Sequence, residues 1–518
     1  MFVNKENKII ILLFFLFPLF LIAGSFLADL FVVLFAIYFI AYFFLNKKIF
    51  FFKNKIIIFF LFFYFYININ SFFSFFPLVS FSTSIPYIRT ILFSIFVAHL
   101  LSKIVNLKKV IFFSFLFSYL ILFIDSLIQL KTGTNILGYP IIEGRISSFF
   151  KNKLVMGSYV SRTLPILIAI SYLENFKKVN FLRIITICLA ATLVFFSAER
   201  VSMFFLVMTV FLYLILLPNK KHIFLYIFVL TILISLLSFL KPSTIDRVIK
   251  HSLFQFNEKK GSLFSERHEA HFVTAYRMFS EKKVLGHGIK TFRYLCDQEP
   301  YTVKDKLINN NRNYSPIDGY YYLKKNFIRG NTLVYFLSES QKIEFEKISK
   351  LLEDALILKN DDKIREAEKN FYSFENNNFI ISKQIHNKIL DSIKSSSKVS
   401  KGDFVFSNND FENGCNTHPH SFHLQILSEL GLVGYAFLFS FFIYLIFIFF
   451  KNFLNIFLKK KKTTEQNYIL YKIFIILSLI QHLFPIIPSG NFFNNWLSIF
   501  FYFQLAFLLN FLYYNKKC

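Results

Sequence analysis

The sequence predicts an all-α, polytopic membrane protein, and three observations carry that prediction. Hydrophobic residues make up 55% of the 518 and charged residues only 17%, with a mean hydropathy of +0.51; a soluble domain carries about a quarter charged residues. The apolar residues gather in runs near 20 long, enough for a helix to cross a hydrocarbon core of about 30 Å. Lys and Arg concentrate in alternate segments between those runs, the asymmetry that sets topology. The excess of 58 Lys and Arg over 31 Asp and Glu is spread over many loops. It therefore reads as membrane anchoring, with the lipid bilayer as partner and no nucleic acid.

About twelve runs follow in order, near 9–25, 27–45, 55–69, 85–101, 109–128, 154–172, 181–198, 201–217, 223–240, 424–450, 468–484 and 495–514. Lys5 and Lys8 before the first run resemble a signal peptide's charged start. The run continues to about Leu45 without a small-residue cleavage signal, so retained helices are expected. Lys47, Lys48, Lys53 and Lys55 follow the second run, Lys103, Lys108 and Lys109 the fourth, and Lys177, Lys178 and Arg183 the sixth. Lys220 and Lys221 follow the eighth, and Lys451 with Lys459 to Lys462 the tenth. The short segments 70–84 and 485–494 contain no Lys or Arg. Both termini are thus expected in the cytoplasm. Segments 70–84, 129–153, 199–200 and 485–494, and the long loop from about Lys241 to Phe422, are expected outside. Three parts result: a bundle of about nine helices over 1–241, an outer loop domain over 242–422 with an insert at about 297–413, and about three helices over 423–518.

Of four cysteines, Cys296 and Cys415 both fall in the outer loop. An oxidising compartment allows a disulfide between them, with two separate thiols as the alternative.

Charge inside an apolar run is costly and is usually functional or paired. Arg200 lies between two runs in Ser197-Ala198-Glu199-Arg200, with almost no loop. It is either a snorkelling hairpin residue or a functional cation. Arg89 and Arg162 are similarly costly, with Asp125 or Glu199 as possible structural partners. The outer loop opens with Ser265-Glu266-Arg267-His268-Glu269-Ala270-His271, continues as an amphipathic helix and stops at Leu285-Gly286-His287-Gly288. Gly-x-Gly can cradle phosphate but more often ends a helix. The loop closes with Cys415-Asn416-Thr417-His418-Pro419-His420-Ser421 directly before an apolar helix bearing Glu429, Gly431 and Gly434. Cys415, His418 and His420 are possible metal ligands, but no fourth ligand is indicated and Cys415 has a better partner in Cys296. No metal or other cofactor is expected. A histidine at the membrane edge, neutral near pH 7, can instead act as a base.

Taken together, Gly144-Arg145-Ile146-Ser147-Ser148-Phe149-Phe150, Gly157-Ser158-Tyr159, Ser197-Ala198-Glu199-Arg200, Arg267, the Gly286–Gly288 turn and His418-Pro419-His420-Ser421 resemble the O-antigen ligase and polymerase family of membrane glycosyltransferases. The likeness runs from about Gln129 to Gly434, and the last motif is the most specific. The resemblance implies a GT-C-type, inverting, metal-independent enzyme of the bacterial inner membrane with its site facing the periplasm. Its donor would be a glycan on undecaprenyl diphosphate, its acceptor lipid A-core or another glycan. Arg200 and Arg267 would bind the donor diphosphate and His420 would activate the acceptor hydroxyl. Arg145, Lys151, Lys153, Arg89, Arg162, His418 and Glu429 become candidate substrate-binding residues. Ser421 and His271 depart from the family pattern, and the 297–413 insert is much longer than the usual loop.

The insert pairs a strand-like half around Phe327–Val334 with a charged helical stretch from Phe345 to about Phe371, then a second strand-like piece at Val399–Val405. A small mixed α/β module is expected. Its order resembles the lipoyl-like and hairpin parts of membrane-fusion adaptor proteins, without a lysine to carry a lipoyl group; an irregular insertion is the alternative.

The function expected is O-antigen ligation during lipopolysaccharide assembly. A polymerase joining lipid-linked repeat units is the nearest alternative, followed by a protein O-oligosaccharyltransferase. A transporter or flippase would place its charges deep in the bundle or on interrupted helices.

Overall fold

The computed structural model describes residues 2–46, 54–142, 144–151, 153–174, 176–217, 220–250, 264, 266–296, 298, 300–301, 321–326, 332–337, scattered positions from 343 to 370, 405–406, 414–458, 463–485 and 487–514. Each predicted apolar run lies on a helix. The helices are α1 Phe2–Ala23, α2 Ser25–Asn46, α3 Lys55–Phe72, α4 Pro77–Ser84, α5 Ile88–Lys103, α6 Leu107–Thr132, α7 Met156–Leu173, α8 Val179–Ser197, α9 Arg200–Ile215 and α10 Lys220–Leu240. After the short α11 Pro242–Ile245 come α12 Glu266–Glu281, α13 Phe292–Leu295, α14 Phe422–Leu458, α15 Thr463–His482 and α16 Asn495–Tyr514. Runs this rich in Phe and Ile favour strands in water. In lipid each backbone group must be satisfied within its own segment, which selects helix.

Among the described residues, eight helical segments are long and apolar enough to cross a membrane. Segments 7–23 and 200–215 are shorter apolar helices. This is a multi-pass membrane protein. The inner helices are α5, α7, α15 and α16: α7 packs on α15 and α8, and α5 on α16. Outer helices turn apolar side chains outward, as at Phe224 and Phe239 on α10, the surface a bilayer covers.

The chain divides into two compact units. The membrane unit takes in residues 1–252, 275–295 and 417–518, so the 286–288 turn and the His420 segment belong to it. The second unit takes in 253–274 and 296–416. In it β1 Tyr321–Asn326 pairs antiparallel with β2 Thr332–Leu337, Tyr321 opposite Leu337, and β2 pairs with β3 Val405–Phe406. Cys296 and Cys415 are joined by a disulfide, their Cα atoms 4.9 Å apart across 119 residues of sequence. Beyond these strands the 297–413 module lies largely outside the described residues.

One expected pairing is corrected. Arg89 meets neither Asp125 nor Glu199; it forms an ion pair with Asp29 of α2 at 2.9 Å and donates to Asn495 Oδ1 at 3.2 Å. Asp125 instead accepts from Ile136 N at 3.0 Å and Asn135 Nδ2 at 3.3 Å, organising the turn after α6.

Candidate functional site

The end of α8 organises the richest cluster of charge. Ala198 takes a left-handed conformation (φ 50°), closing the helix as its N–H returns to Phe195 O at 3.2 Å. The last carbonyls of a helix carry partial negative charge and need donors. Here cations and loop groups supply them. Phe196 O accepts from Lys241 Nζ at 2.6 Å and Ile146 N at 3.2 Å, Phe195 O from Thr244 Oγ1 at 3.2 Å, and Ser197 O from Arg145 Nε at 3.1 Å.

Glu199 follows in the turn and faces two helix N-termini. Its Oε1 accepts from Gly157 N, at the start of α7, at 3.0 Å, and its Oε2 from Ser202 Oγ, in the first turn of α9, at 2.9 Å. Arg145 Nη2 stands 3.7 Å from Oε1. Burial pushes the Glu199 carboxyl above the usual carboxylate range, and Arg145 opposes that shift. Arg145 also donates to Leu154 O at 3.1 Å, so it ties the 145–154 loop to the end of α8.

Arg200 opens α9 beside this turn, and Arg247, on the π-helical turn Asp246–Lys250, lies close enough for its charge to act on both Arg200 and Lys241. Lys241 is 5% exposed. Burial, with Arg145 and Arg247 adding to it, lowers its ammonium to about 7. Four cations, Arg145, Arg200, Lys241 and Arg247, thus converge on one turn. The Glu199 carboxyl lies among them, 3.7 Å from Arg145. Lys151 and Lys153 are exposed on the same loop as Arg145, with Lys151 Nζ 6.0 Å from the Tyr139 ring.

The second group is the segment before α14. His418 and His420 bring their rings within 4.3 Å, centroid to centroid. His420 has φ 53°, and its carbonyl accepts from Ser489 N at 2.8 Å; Ser489 Oγ in turn accepts from Phe422 N at 2.8 Å. The loop between α15 and α16 therefore fixes the backbone on which His420 is carried. His423 is spent on structure, its Nε2 2.9 Å from Leu483 O.

Other predicted site residues are placed differently. Arg162 is buried in α7, close enough to its expected partner Glu199 for the carboxyl's charge to act on it, with Nε on Ser158 Oγ at 3.1 Å and Nη1 3.4 Å from His482 Nδ1. Glu429 is buried where the 286–292 turn docks on α14, accepting from Gln425 Nε2 at 3.0 Å and Phe292 N at 3.4 Å. That turn spends its N–H groups on the helix: His287 N meets Ser428 O at 3.1 Å and Gly288 N meets Glu429 O at 2.8 Å. It is a docking turn. A Cβ on Gly286 would come within 2.6 Å of the Glu429 backbone, so only glycine fits. Burial lowers the His287 imidazole, whose Nε2 lies 2.9 Å from Met278 O. Arg267 lies in α12, in the second unit, and its side chain falls outside the described residues.

The metal set considered from sequence needs Cys415, whose sulfur is bonded to Cys296. Among the described residues no group of three or more His, Cys, Asp or Glu could hold a metal ion. Lys241 and Arg247 are the residues that sequence reasoning missed. Lys241 directly follows an apolar run, where a lysine reads as an anchor, and Arg247 stands in an ordinary polar stretch. No family model, curated protein or solved structure matches the chain.

Proposed function

We propose that the chain is an O-antigen ligase-type glycosyltransferase, moving a glycan from undecaprenyl diphosphate to lipid A-core at the periplasmic face of the bacterial inner membrane. The observation that carries this reading is the convergence of Arg145, Arg200, Lys241 and Arg247 on the 195–200 turn. A diphosphate leaving group takes on charge as the anomeric bond breaks, and fixed guanidinium groups stabilise it where it forms. These cations supply the charge that a metal would otherwise provide.

In the proposed step His420 accepts the proton of the acceptor hydroxyl. The hydroxyl oxygen attacks the anomeric carbon from the face opposite the diphosphate. The carbon–oxygen bond to phosphate breaks, its electron pair leaves on the diphosphate, and configuration inverts. A sugar hydroxyl is a poor nucleophile, and a positioned base makes the attack feasible. His418 flanks the base. Arg267 is, by resemblance alone, a further candidate for binding the donor diphosphate. In this arrangement all twelve apolar runs cross the bilayer, both termini are cytoplasmic, and residues 242–420 lie outside.

Lipopolysaccharide profiling of a deletion strain tests the reading. Loss of all O-antigen capping is expected; a single attached repeat unit would point to the polymerase instead. Purified enzyme with lipid-diphosphate glycan and lipid A-core should give the ligated product. A reporter fused after Lys325 should be active only in the periplasm, and cytoplasmic activity would overturn the orientation.

A further inference from the structure

The opposite end of the membrane unit carries an open groove of about 570 Å³ between the first half of α1 and the start of α6. Its walls are apolar, including Leu12, Phe15 and Phe113, and its mouth is marked by Lys8, Asn106 and Lys109. Beside it Ser114 Oγ donates to Phe15 O, and the Phe15 and Phe117 rings stack at 5.9 Å. We propose that this groove binds one anionic phospholipid, its phosphate between Lys8 and Lys109 and an acyl chain along Leu12, Phe15 and Phe113.

A slot of this size falls within the roughly 300–1,000 Å³ of small-molecule sites. It is apolar below and cationic above, as a phospholipid is apolar below and anionic above. Lys109 lies 3.8 Å from Glu174, a loose, partly exposed pair that leaves the mouth positive. Positive-inside topology sets this end in the cytoplasmic leaflet, where anionic lipids are concentrated and basic pockets between helices take their headgroups. The site stands about 35 Å along α6 from the 133–150 loop, taking 1.5 Å per helical residue, and does not depend on the transferase reading.

Native mass spectrometry of the delipidated full chain, titrated with palmitoyl-oleoyl phosphatidylglycerol or phosphatidylcholine, tests it. One phosphatidylglycerol should bind in preference. Lys8→Gln with Lys109→Gln should weaken it about 25-fold, at about fivefold per surface lysine. Lys55→Gln with Lys451→Gln removes equal charge elsewhere and should leave binding unchanged. Leu12→Trp, at a position 56% exposed, fills the groove without touching charge and should also weaken binding, so the test survives if the lysine variant does not fold. Equal binding of both lipids, a wild-type affinity in either groove variant, or an equal loss in the control pair would overturn the proposal. Glycerol phosphate competing as well as the lipid would overturn the acyl-chain part.

Discussion

Two turns of the membrane unit differ in what they do with their polar groups. The 286–292 turn gives its backbone N–H groups to α14 carbonyls and its neighbouring carboxylate, Glu429, to Gln425 and Phe292. The 195–200 turn instead draws in cations from three other segments: Arg145, Lys241 and Arg247. Both looked like motifs in the sequence. The first is architecture, because its hydrogen bonds close on themselves. The second gathers basic side chains around the Glu199 carboxyl and the last carbonyls of α8, and the proposed anion site rests on that gathering.

The sharpest way to break the comparison is at Gly286. Gly286→Val adds strain at φ 71° and a clash with the α14 backbone, together roughly 3 kcal/mol or more, at about 1–3 for each. Thermal unfolding of the purified variant should show a large loss of stability; an unchanged melting temperature would mean the docking turn is not needed.

The chemical end should behave oppositely. His420→Ala should keep the fold and donor binding while transfer falls ~10²–10⁴-fold, the usual worth of a positioned base. Wild-type turnover in vitro would make His420 a structural residue. Arg200→Lys and Arg267→Lys should each lose activity with charge retained, since an ammonium lacks the guanidinium fork; full activity in either would remove that arginine from the diphosphate site.

A smaller effect comes from pH. With the Lys241 ammonium lowered to about 7, the empty site loses a positive charge as pH rises through that value, and donor binding takes up a proton. Donor affinity should fall about tenfold from pH 6 to pH 8, following the protonated fraction of a group titrating near 7. Lys241→Met should flatten the profile. A slope that persists in that variant would show that Lys241 is not its source. The smallest effect belongs to Glu429→Gln, which keeps an acceptor in the docking turn and should leave donor KM unchanged; a raised KM would return Glu429 to the substrate site.

The helices were legible because lipid leaves a long apolar run one way to satisfy its backbone. The cysteines that are joined could also be paired on paper, since both lay in one predicted outer loop. Long-range partners were not legible. Nothing in the spacing ties Arg89 to Asp29, 60 residues earlier, or sets Lys241 under the last carbonyls of α8. Such pairs are fixed by how helices pack, and periodicity records only which face is apolar. Glu429 read as a site residue for the same reason: a carboxylate's rarity in an apolar helix was visible, while the turn that encloses it came from more than a hundred residues away.

The Cys296–Cys415 bond also changes what a protease can accomplish. Any single backbone cut between those two residues leaves two polypeptides that remain one covalent molecule, the first ending in the insert and the second beginning there. On a gel without reductant the nicked protein runs as a single species, and only reductant releases the halves. The two flanking sets of helices thus stay covalently joined through the disulfide after such a cut.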